Sequence, residues 1–475
     1  GRHDEAEQAL AAALRRRAAA DTEVDPSHLD DLVARCFDVP PTRADADQRQ
    51  ACRVAVARRL VVVSGGPGTG KTTTVARLLA AVTEHRRRRG LDTRVRLLAP
   101  TGKAAARLGE ALQAQLEQIP PSLRPPVPPP ASTVHRALGS VRGSRTRYRH
   151  DRRTPLPDDV VVVDEASMVD LALMRRLVEA VRPSARLVLL GDRDQLASVE
   201  SGAVLGEVVR GAEAHPTSPV AAGVVRLRHS FRFRDDGGIG ALARAIREGD
   251  ATGALDVLAG SSDVTRIDRP APRSLGAELT ALVQRGFRPL CDAPGPQEAV
   301  EALGRFRLLC AHRRGPWGVE VLNPLIEGAL GRAGLLAPTS GWYARRPILV
   351  TSNDYRLELF NGDQGVVMPG PRGLAAVFPR GDGVRMLSAS RLAEVQTVFA
   401  LSVHKSQGSE FDDVVVVLPE VGSPLLAREL LYTAVTRARR RVTVVGEPAA
   451  VRAAVATPVV RMSGLADKVF AAPPA

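Results

Sequence analysis

Between Leu60 and about His85 the sequence reads as a strand, a glycine-rich turn and a helix: Leu60-Val-Val-Val-Ser64, then Gly65-Gly-Pro-Gly-Thr-Gly-Lys-Thr72, then helical text. The turn matches G-x-x-x-x-G-K-[ST] where that pattern has a mechanism, after a strand and opening a helix. Glycines let the backbone curl until its N–H groups point at phosphate. The helix N-terminus adds favourable partial charge. On that chemistry Gly65, Gly66, Pro67, Gly68, Thr69, Gly70, Lys71, Thr72 and Thr73 form a cradle for a nucleoside triphosphate. Lys71 reaches the β- and γ-phosphates, and Thr72 offers a hydroxyl to Mg²⁺.

Such a loop needs a parallel sheet behind it. Further apolar runs at Val95–Ala99, Val160–Val163 and Leu187–Leu190 each end in a polar turn and are followed by helical text. Alternation of this kind predicts an α/β fold with helices on both faces of the sheet and ligands at the carboxyl ends of its strands. The run Val160–Val163 ends in Asp164-Glu165. Asp164 is placed for the metal shell and Glu165 is free to orient or deprotonate a water. Taken alone, the pair also suits the N-terminus of a helix. Leu187–Gly191 leads to Gln195, whose amide can contact a γ-phosphate or simply lie in a surface loop. Gln48, on the helix that feeds the first strand, can pair with adenine, although one amide is a weak signal.

The 475 residues carry a net charge of +14, which points to a polyanionic partner, most often nucleic acid. The plainer reading is a generally basic surface. Only four of the basic residues are lysine: Lys71, Lys103, Lys405 and Lys468. Three fall at strand-to-loop junctions, in Pro100-Thr-Gly-Lys103, in His404-Lys405-Ser-Gln-Gly and in the glycine-rich loop itself. Four scattered cysteines make a disulfide framework or zinc site unlike this chain and suit a cytoplasmic location. No apolar run approaches the ~20 residues of a membrane span. The opening Gly1, in place of Met, suggests a trimmed start.

Residues 1–45 read as a helical remnant, 46–224 as a first α/β domain and 225–475 as a second. Residues 345–395 break into short strand-like runs separated by Asn-Gly and Asp-Gly turns, which predicts a small inserted β-barrel. Residues 140–153 are arginine-rich and read equally as a protruding hairpin or a solvated loop. With aromatics at only 3%, nucleic-acid binding would rest on phosphate contacts more than on stacking.

Together, Gln48, Gly65–Thr72, Pro100–Lys103, Asp164-Glu165, Gly191–Gln195, His404–Glu410 and Tyr432–Arg437 resemble the ordered motifs of superfamily 1 helicases. The wording of "GGPGTGKTTT", "LLAPTGKAAARL", "STVHRALG", "VVVDEASMVD", "SFRF", "VHKSQGSEFD" and "YTAVTRARRR" resembles the RecD family in particular. The resemblance implies two RecA-like domains with ATP and Mg²⁺ between them, a small 1B insertion at about 139–158 and an SH3-like 2B insertion at 345–395. It implies that Lys71, Glu165 and Gln195 act on the nucleotide, with Arg232 and Arg437 reaching across from the second domain. It implies single-stranded DNA near Thr101, Lys103, Thr133, His135, His404 and Lys405, movement from 5′ to 3′, and RecB-like and RecC-like partners acting at duplex ends in break repair. A free-standing RecD-like helicase is the alternative. No spaced-carboxylate nuclease constellation is visible in this chain.

Overall fold

The computed structural model describes residues 2–20, 24–37, 39–126, 128–140, 147–197, 203–233, 237–339, 341–354, 356–371, 373–381, 383–392, 394–459 and 463–471. The chain forms two compact units, Gly1–Arg232 with Val460–Ala475, and Phe233–Val459.

The first unit holds β1 (Leu60–Gly65), β2 (Val95–Ala99), β3 (Ser132–Thr133), β4 (Val160–Val163), β5 (Arg186–Gly191) and β6 (Val224–Leu227). They form one parallel sheet in the order β3-β2-β4-β5-β1-β6. Every residue of β1, β4 and β5 is buried, as expected of strands covered on both faces. Side chains alternate between faces, so Leu60 and Val62 enter one core while Val61 and Val63 enter another.

The helix Arg2–Ala18 adds Leu10, Leu14 and Ala18, at helical spacing, to the first core. The helix Pro26–Phe37 adds Leu32, Val33, Cys36 and Phe37 to the second. These two helices therefore cover this unit. The helix Leu465–Phe470 returns to it as well, placing Leu465, Val469 and Phe470 in the first core. Lys468 Nζ donates to Asp4 at 2.6 Å and to Glu7 at 2.5 Å.

Two boundaries differ from the sequence reading. β6 was expected to open the second domain, yet Val62–Gly65 pair in parallel with Val224–Leu227, so the unit ends at Arg232. Residues 463–471 were expected in the second domain and belong to the first. Both differences arise from long-range packing that local pattern does not carry.

The second unit contains β7 (Val264–Ile267), β8 (Phe306–Cys310), β9 (Pro347–Val350), β10 (Gln364–Gly370), β11 (Gly373–Arg380), β12 (Gly383–Ser388), β13 (Val395–Thr397), β14 (Ala400–Ser402), β15 (Phe411–Val417) and β16 (Ala438–Val445). Five make a parallel sheet, β14-β8-β15-β16-β7. The other five make an antiparallel sheet, β12-β11-β10-β9-β13, in the stretch expected to hold a barrel. β12 and β13 are strands that the sequence reading does not single out. Alternation here is two-sided. Val366, Met368 and Val377 face the core of the unit, while Ile348, Val367, Ala376, Phe378 and Leu387 form a smaller core of their own.

In the arginine-rich stretch, residues 141–146 lie outside the described residues. At its base Ser140 bridges Tyr148 antiparallel, and Arg149 and His150 donate backbone N–H bonds to Gly139 and Leu138.

Candidate nucleotide-binding site

Three neighbouring strand ends build the site. β5 lies between β1 and β4, so the glycine-rich loop, Asp192–Gln195 and Asp164-Glu165 follow adjacent strands. After β1 the chain turns through Gly68 (φ 78°) and Gly70 (φ 77°), both left-handed, a conformation that glycine adopts without a Cβ penalty. A Cβ at Gly68 would lie 2.3 Å from Arg232 Cβ, and one at Gly70 would lie 2.4 Å from Gln48 Nε2. Gly68 thus requires glycine twice over, and Gly70 requires it for its left-handed backbone. The helix Lys71–Arg87 starts at once, and Lys71 Nζ donates to the carbonyls of Gly65 at 2.7 Å and Gly66 at 3.1 Å. Thr69 Oγ1 donates to Gly66 O at 2.9 Å. Thr73 Oγ1 donates to Gln115 Oε1 at 2.7 Å, on the helix Gly102–Glu117, so its hydroxyl is engaged away from the loop. Thr72 stands half-buried on the first turn of the helix.

At the end of β4, Asp164 Oδ1 accepts the Glu165 N–H at 2.9 Å. Glu165 itself has φ 50°, a strained conformation for a residue with a side chain. Burial and the neighbouring Glu165 carboxylate push the Asp164 carboxyl up to about 6, opposed by the Lys71 ammonium. After β5, Asp192 is buried and likewise pushed up to about 6 by burial, again opposed by Lys71. Its Oδ2 accepts Gln195 Nε2 at 3.0 Å, so the buried Gln195 amide is held by a carboxylate. Half-buried Asp164 and buried Asp192 thus share the field of one lysine. Sequence reading passed over Asp192, although its place directly after Gly191 parallels that of Asp164 after Val163.

Gln48 is buried against the loop, its Nε2 donating to Thr69 O at 3.4 Å and its Oε1 accepting Arg77 Nη1 at 2.9 Å. Arg77 stacks over Phe37 with its guanidinium carbon 4.2 Å from the ring centroid. The segment 230–232 folds over the loop. Phe231 N donates to Gly68 O at 2.8 Å, and Ser230 Oγ to Pro67 O at 3.5 Å. Arg232, expected to reach over from the second domain, therefore belongs to the first unit. Phe231 is 55% exposed beside Gln48 and Gly70, an open aromatic face suited to a base. Arg77 has no motif of its own, and Phe231 lies in the Ser-Phe-Arg-Phe motif without having been singled out there. Arg77 was findable only as a neighbour of motif residues.

Among the expected nucleic-acid contacts, Thr101 caps the helix Gly102–Glu117 by accepting Ala104 N–H, and Thr133 caps Val134–Leu138 by accepting Arg136 N–H. Their strands are adjacent, with Ala99 paired to Thr133. Lys103 lies in the first turn of its helix, and His135 is exposed, 6.4 Å from Tyr148 between ring centroids. In the second unit Ser402 caps Val403–Ser406, the short helix that carries His404 and Lys405. Partial burial and Arg313 hold the Lys405 ammonium below its usual range. Arg437 is buried, donating from Nε to Thr433 O at 3.1 Å and from Nη1 to Ser409 O at 3.4 Å.

A family model described as an AAA domain matches residues 43–269, and one described as a UvrD-like helicase C-terminal domain matches residues 397–445. The RecBCD enzyme subunit RecD of Mycobacterium tuberculosis is 48% identical over 430 residues, 90% of this chain and 73% of that protein. The ATP-dependent RecD2 DNA helicase of Deinococcus radiodurans is 36% identical over 386 residues, 81% of this chain and 46% of that one. A Bacteroides Pif1 crystal structure bound to ssDNA covers 85% of this chain and 92% of its own at 16% identity, with a TM-score of 0.47. A parallel α/β fold with a phosphate-binding loop, and 48% identity over nine-tenths of the sequence, place the chain in the RecD family.

Proposed function

We propose that the chain is an ATP-driven, 5′-to-3′ single-stranded-DNA translocase and DNA helicase. It serves as the motor subunit of a RecBCD-type helicase/nuclease, with RecB-like and RecC-like partners at duplex ends. The observation that carries this reading is the convergence of Lys71, Asp164-Glu165 and Asp192–Gln195 at three adjacent strand ends. The two parallel-sheet units act as RecA-like domains, the antiparallel sheet as an SH3-like 2B insertion and the segment around 139–158 as 1B.

In this reading the Lys71 ammonium exchanges the Gly65 and Gly66 carbonyls for β- and γ-phosphate oxygens. The donor set fits Mg²⁺. Thr72 and Asp164 would hold it, an acid in the field of one lysine has room for a further cation, and Mg²⁺ takes its other ligands from phosphate and water. Bound there, the ion neutralises charge on the phosphates. Glu165 orients and deprotonates the attacking water. Gln195, held by Asp192, touches the γ-phosphate and registers its loss. Arg232 and Arg437 stabilise charge on the transferred phosphoryl group. Gln48 reads adenine and Phe231 stacks on it. Thr101, Lys103, Thr133, His135, His404 and Lys405 hold the DNA backbone, which suits a motor indifferent to sequence.

The test is phosphate release with and without single-stranded DNA. DNA should stimulate hydrolysis and Lys71→Gln should abolish it; equal rates for both proteins overturn the reading. Duplexes with a 5′ or a 3′ single-stranded tail decide polarity, and only the 5′-tailed substrate should be unwound. The 36% identity to a RecD2 helicase keeps a free-standing helicase as the alternative, beside the 48% identity to a RecBCD subunit. Native mass and subunit composition in cell extract separate the two, since a particle holding one copy of this protein and no larger helicase or nuclease chains would support the alternative.

A further inference from the structure

The largest fully buried side chain of the described residues is an arginine, Arg307 on β8, at 0% exposure. No carboxylate pairs with it among the described residues. Its guanidinium donates from Nη1 to Val398 O, from Nη2 to Leu303 O at 3.0 Å and to Gln364 Oε1 at 2.9 Å, and lies 5.0 Å from the Phe411 ring centroid. Burial pulls its pKa down to about 9, which still leaves a cation at neutral pH.

The three acceptors have a common address. Leu303 ends the helix Pro296–Leu303, which packs on β10, β11 and β12 of the antiparallel sheet. Gln364 is the first residue of β10. Val398 sits where the chain leaves that sheet after β13 and enters β14, and its own N–H donates to Pro347 O at the sheet's entry. Four residues further on, Ser402 caps the helix carrying His404 and Lys405. One guanidinium thus joins the helix under the inserted sheet, the sheet itself and the strand that aims Lys405.

A buried cation without a counter-ion is a poor way to gain stability, because desolvation offsets most of what its hydrogen bonds return and an apolar side chain often does as well. What the planar fork offers is fixed direction to several acceptors at once. We propose that Arg307 is a positioning residue that locks the inserted sheet and the Ser402–Lys405 turn into one body, so that the sheet sets the grip of this turn on single-stranded DNA. The proposal rests on the reading of His404 and Lys405 as DNA contacts.

The experiment uses the full chain with Arg307→Met, Arg307→Lys, Gln364→Leu and Lys405→Ala. For Arg307→Met, ATP hydrolysis without DNA should stay within about twofold, while the DNA concentration for half-maximal stimulation rises about tenfold, the scale of losing a charged hydrogen bond. Amide hydrogen exchange should quicken at 398–406 and stay unchanged in β15 and β16. Arg307→Lys should recover part of the loss, and Gln364→Leu should shift DNA half-saturation the same way by less. Unchanged half-saturation in Arg307→Met and Gln364→Leu, or uniformly faster exchange throughout the unit, overturns the proposal. If Arg307→Met does not fold, the half-buried Gln364→Leu decides alone. Lys405→Ala separates the two levels. No effect there overturns the DNA reading and the proposal with it. An effect there with none from Arg307 and Gln364 variants overturns the proposal only.

Discussion

The two units share a plan, but among the described residues only the first buries acids, while both bury guanidiniums held by backbone carbonyls, Arg17 and Arg186 in one and Arg307 and Arg437 in the other. Each has a parallel sheet whose edge strand, β3 or β14, ends in a hydroxyl residue that caps a short helix beginning Val-His: Thr133-Val134-His135 in one, Ser402-Val403-His404 in the other. In the first unit the charges packed beside the glycine-rich loop are acids, half-buried Asp164 and buried Asp192, facing one lysine. In the second the buried charges are guanidiniums, Arg307 and Arg437, held by carbonyl and amide oxygens. A buried acid invites a cation and a phosphate-binding lysine, whereas a buried guanidinium held by neutral acceptors keeps its positive charge for use elsewhere. Duplicated architecture therefore does not mean duplicated chemistry.

The sharpest break of this contrast is Lys71→Gln. DNA-stimulated hydrolysis should fall about a thousandfold, and a fall below tenfold would mean that the first unit does not hold the phosphates. Next, Arg437→Lys should lower turnover about a hundredfold while nucleotide affinity, read by titration with a fluorescent nucleotide, changes little. An equal loss of affinity would make Arg437 part of the nucleotide cradle instead of a contributor to turnover.

The paired turns give a finer comparison. Thr133→Ala and Ser402→Ala each remove one capping acceptor, worth about 1 kcal/mol, and should each weaken single-stranded-DNA half-saturation about fivefold. Matched losses would sharpen the parallel between units, and a loss from one variant alone would break it. Smallest is Lys468→Ala, which frees the helix Leu465–Phe470 from Asp4 and Glu7. Calorimetry should show the unfolding of the first unit about 2 °C lower, with the second unit unmoved.

What was legible in the sequence followed chemistry carried by neighbours in the chain. The glycine-rich loop and Asp164-Glu165 after four valines are local patterns, and each sits at the strand end that its pattern implies; that Thr101, Thr133 and Ser402 cap helices emerges only from the structure. What was not legible depends on partners far away. Asp192 gains meaning only beside Lys71, and β6 joins the first sheet only through β1. Arg307 looks like any arginine in Phe306–Cys310 until Val398 and Gln364 close over it. Lys468, the one lysine outside a strand-end motif, is explained by Asp4 and Glu7, more than 460 positions earlier. The inserted sheet fell between these cases. Its hairpin turns were readable, but the sharing of its two faces between two cores was not.

The return of residues 463–471 to the first unit also sets an order of assembly. A ribosome makes the second unit before it makes Leu465, Val469 and Phe470, yet those three side chains help to close the core around Leu10, Leu14 and Leu171. The unit that is synthesised first is therefore completed last. While the rest of the chain is being made, the nascent protein carries an open apolar seam on the very unit that holds the glycine-rich loop.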